Sequence, residues 1–139
     1  MMLYVADDNT EFAEYCAEVA RREGWTVEVS QNGSTLLEKL RQGNEPALVL
    51  CDIQMPEMDG IDVVQELPKI DRKLRVRFIT GGPQSTALAA RLIGDARNID
   101  VGRFLTKPIR LDDLQTVLRE ERLAYPWNNS AGPEGHHER

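Results

Sequence analysis

The sequence predicts an α/β fold in which a doubly wound, five-stranded parallel sheet carries helices on both faces. Two observations lead to this prediction. Short apolar runs alternate five times with segments whose apolar residues recur at helical spacing. The most apolar run, at residues 47–51, lacks the alternation of a half-exposed strand and is typical of a strand buried on both faces. Strict alternation with short connections predicts right-handed crossovers and a single parallel sheet.

The first three strand–helix units occupy the first half of the chain. In the first helix, Phe12, Cys16 and Val19 fall on one face, and glutamates fall on the opposite face. Gly24 ends this helix. Pro68 ends the third helix, because proline cannot continue an α-helix. Strands are predicted at 3–6, 25–29 and 47–51. Helices are predicted from Asn9, after Asn32-Gly33 and after Gly60.

The last two units follow the same order. A fourth strand is predicted at 76–80 and a fourth helix from Ser85. A fifth strand is predicted at 101–106, with Gly102 weakening its start. The last helix carries Leu111, Leu114 and Leu118 on its apolar face. Because the pattern stops after Leu123, we predict one domain over residues 1–123 and a flexible C-terminal tail over 124–139.

Composition limits the function classes. A chain of 139 residues with 41% hydrophobic residues can bury the core of one domain. The 17 basic residues are outnumbered by 23 acidic ones and are scattered, which argues against direct binding of nucleic acid. The longest apolar run has six residues, from Pro46 to Cys51, whereas a membrane helix needs about 18 or more. Since no signal pattern opens the chain, we expect a cytoplasmic protein with no membrane partner.

Polar side chains follow the predicted strands where the strands end. Asp7 and Asp8 follow the first strand, and Asp52 follows the third. Thr80 ends the fourth strand, and Lys107 follows the fifth. Each has a structural explanation when taken alone; Asp8, for example, could cap the first helix. Because ligands of open parallel sheets bind at the carboxyl ends of the strands, the set together indicates a functional site.

The residue types at this edge suit phosphoryl transfer. Carboxylates crowded within a few ångströms stay ionised only when a cation joins them, and an all-oxygen ligand set favours Mg²⁺. Lys107 supplies a positive charge for an anion, and Thr80 supplies a hydroxyl donor. A metal and a lysine can neutralise the oxygens of a transferred phosphoryl group while a carboxylate attacks in line.

With these residues in place, the chain resembles the receiver domains of two-component response regulators over about residues 2–123. The residues from Asp52 to Gly60 read Asp-x-x-Met-Pro-x-Met-Asp-Gly, a specific motif in which Pro56 and Gly60 would be structural. The resemblance implies a flavodoxin-like fold with strand order 2-1-3-4-5, an order that other doubly wound proteins share. The remaining matching residues are Asp7, Asp8, Thr80 with Gly81, Phe104, and Lys107 with Pro108.

The resemblance also implies a phospho-acceptor and a metal site. Asp52 would take a phosphoryl group from a histidine kinase or a histidine phosphotransfer protein. Asp8, Asp52 and the backbone carbonyl of Gln54 would hold Mg²⁺, and Asp7 would assist through water. The chain would then be a phospho-accepting signalling protein and not an enzyme, although it could catalyse its own phosphorylation and dephosphorylation.

A switch is implied as well. Lys107 would pair with one phosphoryl oxygen, and Thr80 would move to hydrogen-bond another, which opens space for Phe104. The Lys107–Pro108 bond would be cis and would have a structural role. Output would be contacts to an unidentified downstream protein, made through the fourth helix, fifth strand and fifth helix of a stand-alone receiver.

The sequence departs from the family pattern in two places, and two alternative functions stay open. Thr80 and Lys107 are 27 positions apart, several more than is usual, and Gly82 stands where a side chain normally controls water access. One alternative is a Mg²⁺-dependent phosphohydrolase with an aspartyl-phosphate intermediate, although such enzymes place Asp-x-Asp after strand one. The other is a binding module that works without phosphorylation.

Overall fold

A single parallel sheet organises the protein. The computed structural model describes residues 1–96 and 98–127. Its strands run in the order β2-β1-β3-β4-β5. The short strand β6 pairs with the same edge of β4 as β5 does, further along β4. This confirms the predicted order 2-1-3-4-5. The strands are β1 (Met2–Ala6), β2 (Thr26–Ser30), β3 (Ala47–Asp52), β4 (Leu74–Thr80), β5 (Asp100–Val101) and β6 (Leu105–Thr106).

Five α-helices cover the two faces of the sheet. They are α1 (Thr10–Arg22), α2 (Gly33–Gln42), α3 (Gly60–Glu66), α4 (Pro83–Asp95) and α5 (Leu111–Ala124). The Asn9 side chain caps α1 by accepting from Phe12 N–H at 3.1 Å, so Asp8 is not needed as the cap. Asp59 and Asp62 form a reciprocal capping box at α3. The fourth helix begins at Pro83, two residues earlier than predicted, because proline fits the first turn of a helix.

The prediction of one fifth strand over 101–106 is wrong. Val101 pairs with Val76 and Leu105 with Ile79. The chain therefore advances four residues (105 − 101) while β4 advances three (79 − 76), as in a β-bulge. Gly102 lies in the break. A Cβ there would lie 2.5 Å from Cδ of Arg77, so this glycine gives room for an arginine side chain.

Two apolar clusters fill the layers on either side of the sheet. The first is built mainly from α2, α3, α4 and one face of the strands. The second is built from α1, α5 and the opposite face. Cys16 and Cys51 are free and buried in these clusters, as predicted. Burial, together with the negative charge of Asp7, raises the pKa of the Cys16 thiol to about 12, so this cysteine acts as a small hydrophobe.

Beneath α5 lies a buried ionic network that the sequence analysis did not predict. Glu121 on α5 accepts hydrogen bonds from Arg75 Nε at 2.8 Å and from Arg77 Nη1 at 2.7 Å. Arg75 Nη1 also donates to Asp100 Oδ1 at 2.7 Å. Trp127 Nε1 donates to Glu121 Oε1 at 2.9 Å. The network joins β4, β5, α5 and the residues after α5.

The structure corrects the first part of the predicted tail. Helix α5 continues to Ala124, and Trp127 is only 5% exposed. The Trp127 ring stacks on Trp25, with ring centroids 6.5 Å apart, and the Tyr125 hydroxyl donates to the Pro46 carbonyl at 2.8 Å. Aromatic packing therefore holds residues 125–127 against the second cluster. The rest of the predicted tail lies outside the described residues.

Among residues 1–96 and 98–127, no helix has both the length and the apolar character that crossing a membrane requires.

Candidate functional site

The carboxyl edge of the sheet brings three aspartates together. Ala6 of β1 pairs with Cys51 of β3, so the residues that follow them, Asp7 and Asp52, emerge side by side. One carboxylate oxygen from each of Asp7, Asp8 and Asp52 lies within 4.8 Å of the others. Asp7 is fully buried, Asp52 is 6% exposed and Asp8 is exposed. The cluster is thus anchored in the protein and open to solvent on one side.

Lys107 reaches into this cluster from the segment after β6. Its Nζ lies 2.9 Å from Asp7 Oδ2 and 3.6 Å from Asp52 Oδ2. The backbone N–H of Lys107 donates to the Thr80 carbonyl at 2.8 Å, which fixes the segment to the end of β4. The Lys107–Pro108 peptide bond is cis, as the resemblance implied. Lys107 therefore lies next to the Asp52 carboxylate.

Burial and the charges of the site together shift the pKa values of Asp52 and Lys107. Burial, followed by the negative charge of Asp7, raises the pKa of Asp52 to about 6, although Lys107 and the Gln54 N–H act in the opposite direction. Burial acts to lower the pKa of Lys107, but its hydrogen bond to Asp7 and the charge of Asp52 outweigh this effect and raise it. Three carboxylates face one ammonium group, so an additional cation is favoured at this edge.

The other predicted site residues flank the aspartates. Thr80 is 1% exposed, and its hydroxyl donates to Thr106 Oγ1 at 3.5 Å. Gln54 N–H donates to Asp52 Oδ1 at 3.3 Å. Phe104 is half-buried and packs against the first apolar cluster. Gln54 thus contacts the acidic cluster directly, and Thr80 ends the strand next to Asp52, whereas Phe104 packs in the apolar layer.

The loop after β3 is tightly folded by the residues of the Met-Pro motif. Gly60 N–H donates to the Ile53 carbonyl at 2.8 Å, and a Cβ at Gly60 would lie 3.1 Å from Ile53 Cα. Met58 N–H donates to the Pro56 carbonyl at 2.7 Å. Glycine at position 60 thus allows the loop to close onto the end of β3 and to fix Gln54 beside Asp52.

Sequence reasoning assigned Phe12 to the apolar face of α1 and gave Tyr15 no role. In the structure, the Phe12 ring centroid lies 4.5 Å from Lys107 Nζ. The Tyr15 hydroxyl donates to the Ile109 carbonyl at 3.0 Å. The only sequence signal for these contacts is that both residues lie in the first two turns of a helix that begins two residues after Asp8.

Comparison with known proteins identifies the family. Residues 3–119 match the family model of the response regulator receiver domain. The chain belongs to this family. It is therefore a receiver domain of the kind found in two-component signalling systems, and its relatives are named as regulators.

Two curated relatives contain a matching region in chains of different length. The chain is 32% identical over 123 residues to the response regulator receiver protein CpdR of Brucella abortus. The matched residues cover 88% of this chain and 97% of CpdR. It is 34% identical over 119 residues to the transcriptional regulatory protein TctD of Salmonella typhimurium. The matched residues cover 86% of this chain but only 50% of TctD. The receiver thus spans nearly all of CpdR and about half of TctD.

Solved structures confirm the fold. A CheY-like receiver domain protein from Methanospirillum hungatei superposes with a TM-score of 0.70 at 20% identity, over 86% of this chain and 91% of that one. A structure from Rhodopirellula baltica described as an adenylate cyclase gives a TM-score of 0.78 at 21% identity, over 94% and 93%. At these identities the likeness concerns the receiver fold alone.

Proposed function

We propose that this receiver accepts a phosphoryl group on Asp52 from a histidine kinase or a histidine phosphotransfer protein, in a Mg²⁺-dependent reaction. The observation that carries the proposal is the placement of Lys107 Nζ 3.6 Å from Asp52 Oδ2, within a cluster of three carboxylates. An ammonium group at this distance can meet an oxygen of a group attached to Asp52.

The donor set fits Mg²⁺. Carboxylate oxygens from three residues lie within 4.8 Å of one another, and their charges outnumber that of Lys107. Asp8, Asp52 and the backbone carbonyl of Gln54 would hold the ion, and Asp7 would assist through water. When bound, Mg²⁺ would offset the negative charge of the phosphoryl oxygens. An open site with one exposed carboxylate suits an ion that keeps part of its water shell.

The chain's own residues supply the nucleophile and the anion contacts. An Asp52 carboxylate oxygen attacks phosphorus, and the bond from phosphorus to the donor nitrogen or oxygen breaks and leaves its electron pair on the donor. With a pKa of about 6, most Asp52 carboxylates are ionised at neutral pH. Lys107 and the Thr80 hydroxyl each contact an oxygen of the transferred group, which positions it for in-line transfer.

Phosphorylation would then shift the contacts of Thr80. The hydroxyl now faces Thr106 at 3.5 Å, a weak bond that the stronger acceptor oxygens of a phosphoryl group can replace. Its movement would open space for Phe104, and the change would reach the face formed by α4, β5 with β6, and α5. Ile93 on α4 and Leu111 at the start of α5 are 43% and 52% exposed, and exposed apolar side chains on these helices suit contacts to a downstream protein.

Mass spectrometry of the intact protein tests the assignment. With Mg²⁺ and acetyl phosphate, the wild type should gain one phosphoryl group, and Asp52→Asn should gain none. Asp71→Asn is the matched control, because Asp71 is an exposed carboxylate in the loop before β4, at the opposite end of the sheet. Equal labelling of wild type and Asp52→Asn would disprove the assignment.

Two further outcomes separate the alternative functions. Steady turnover of phosphomonoesters would indicate a phosphohydrolase. Mg²⁺ binding without labelling by any phosphodonor or histidine kinase of the source organism would indicate a binding module that works without phosphorylation.

A further inference from the structure

The aromatic ring of Phe12 faces the ammonium group of Lys107. The distance from Nζ to the ring centroid is 4.5 Å, within the range of about 6 Å at which a ring attracts a cation. Phe12 lies in the first turn of α1 and is half-buried.

The ring and the carboxylates contact the same ammonium group. Asp7 Oδ2 lies 2.9 Å and Asp52 Oδ2 3.6 Å from Nζ, and the ring is a third contact at 4.5 Å. A lysine side chain is a flexible four-carbon chain that carries a point charge, so it needs several contacts to stay in one position. Without the ring, two carboxylates at unequal distances would be left to define where the ammonium group lies.

A second contact from α1 holds the same segment. The Tyr15 hydroxyl donates to the Ile109 carbonyl at 3.0 Å, two residues after Lys107. The rings of Phe12 and Tyr15 are 6.2 Å apart and tilted by 49°, so Tyr15 also supports Phe12. Helix α1 thus contacts the Lys107 segment at the side-chain ammonium and at the backbone.

From these contacts we infer that Phe12 is a positioning residue for the phosphoryl transfer reaction. Its ring holds Lys107 Nζ beside the Asp52 carboxylate, where the ammonium group meets an oxygen of the incoming phosphoryl group. Phe12 does not touch the reacting atoms and acts only through Lys107. The inference rests on the proposed function of Asp52.

Fluorination of the ring separates attraction from packing. Phe12 is replaced by phenylalanine with one, two or three fluorines, each of which weakens the negative face of the ring with little change in its size. We expect the logarithm of the phosphorylation rate with acetyl phosphate and Mg²⁺ to fall stepwise with fluorine number. Phe12→Leu should be roughly fivefold slower, the factor to which about 1 kcal/mol of cation–π attraction corresponds. Phe12→Tyr should keep the rate, because it keeps the ring.

Phe78 provides the matched control. It is fully buried on β4 within the first apolar cluster, so the same fluorinated series there should leave the rate unchanged. Melting temperatures of all variants report on folding. A rate that does not change with fluorination at position 12, in variants that fold, would overturn the inference.

A double-mutant cycle keeps the inference separate from the proposed function. Phe12→Leu and Lys107→Met are combined, and urea unfolding gives the coupling between the two side chains without any phosphodonor. We expect a coupling of roughly fivefold in the unfolding equilibrium constant. If the wild type takes no phosphoryl group, the proposed function fails while the cycle still reports on the contact. If the effects of the two substitutions on the unfolding equilibrium constant simply multiply, there is no coupling, and the inference is overturned whatever the labelling shows.

Discussion

Lys107 forms an ion pair with the fully buried carboxylate of Asp7, with 2.9 Å between Nζ and Oδ2. A buried charge that loses its partner is costly, and here a second cation is expected to share the site. The ion pair would therefore link the stability of the domain to the proposed binding of Mg²⁺.

We predict that Lys107→Met destabilises the metal-free protein by about 2 kcal/mol, a value reduced from that of fully buried pairs because Lys107 is partly exposed. Mg²⁺ should recover a large part of this loss, since it neutralises Asp7 and its neighbours. Urea unfolding in EDTA and in Mg²⁺ measures both values. The same loss in both buffers would contradict the prediction.

A pH dependence follows from the raised pKa of Asp52. Its value rises from 3.8 to about 6 in the folded state, so the ionised carboxylate opposes folding. The free-energy cost of the ionised Asp52 is absent below about pH 4 and grows as the pH rises towards 6. Above about pH 6 it has reached its full value. In EDTA, Asp52→Asn should therefore be more stable than wild type at pH 8, by on the order of 2 kcal/mol, and equally stable at pH 4. Urea unfolding at several pH values tests this, and a difference that does not vary with pH would refute it.

Glu121 is predicted to be the most sensitive residue of the buried ionic network. Glu121→Gln keeps the shape of the side chain but removes the charge that faces Arg75 and Arg77. We expect a loss of about 3 kcal/mol in the free energy of unfolding. The control is Glu120→Gln, an exposed neighbour on α5 that should change stability by less than about 0.5 kcal/mol. Similar values for the two variants would show that the network contributes little.

Two truncations test the aromatic contacts after α5. A chain that ends at Trp127 keeps the aromatic contacts of Trp25, Tyr125 and Trp127 and is the reference for the comparison. A chain that ends at Ala124 loses Trp127 and exposes Trp25, and should be less stable by about 3 kcal/mol. Thermal unfolding followed by tryptophan fluorescence compares the two proteins. Equal stability of the two truncated chains would show that Trp127 packing is unimportant.

The sequence predicted the layers of the fold because their signals are local. Hydrophobic periodicity and strand-end polar residues are visible within windows of ten residues, and Asp7, Asp52 and Lys107 were placed at one edge because each follows a predicted parallel strand. The family motif strengthened the same interpretation. The structure confirms the sheet order and brings these three residues together.

What the sequence could not predict depends on distant pairs. At the break in the fifth strand, the side chains of Arg75 and Arg77 pass beside Gly102 and hydrogen-bond to Glu121, which lies more than 40 positions further along the chain. Phe12 and its cation are 95 positions apart (107 − 12), so no local pattern relates them. Residues 125–127 have the composition of a tail and are held by contacts to Trp25, Pro46 and Glu121, which are distant in sequence or lie on other elements.

The docking of Trp127 has a practical consequence for binding measurements. Tyr125 and Trp127 fasten the chain near Pro46, which precedes β3, whereas Asp52 ends β3. The six residues of β3 separate Pro46 from the Asp52 end of the strand, a distance of roughly 20 Å at a rise of about 3.3 Å per residue. A chain that ends at Trp127 and is tethered to a sensor surface through that end would therefore present its acidic edge to the solution.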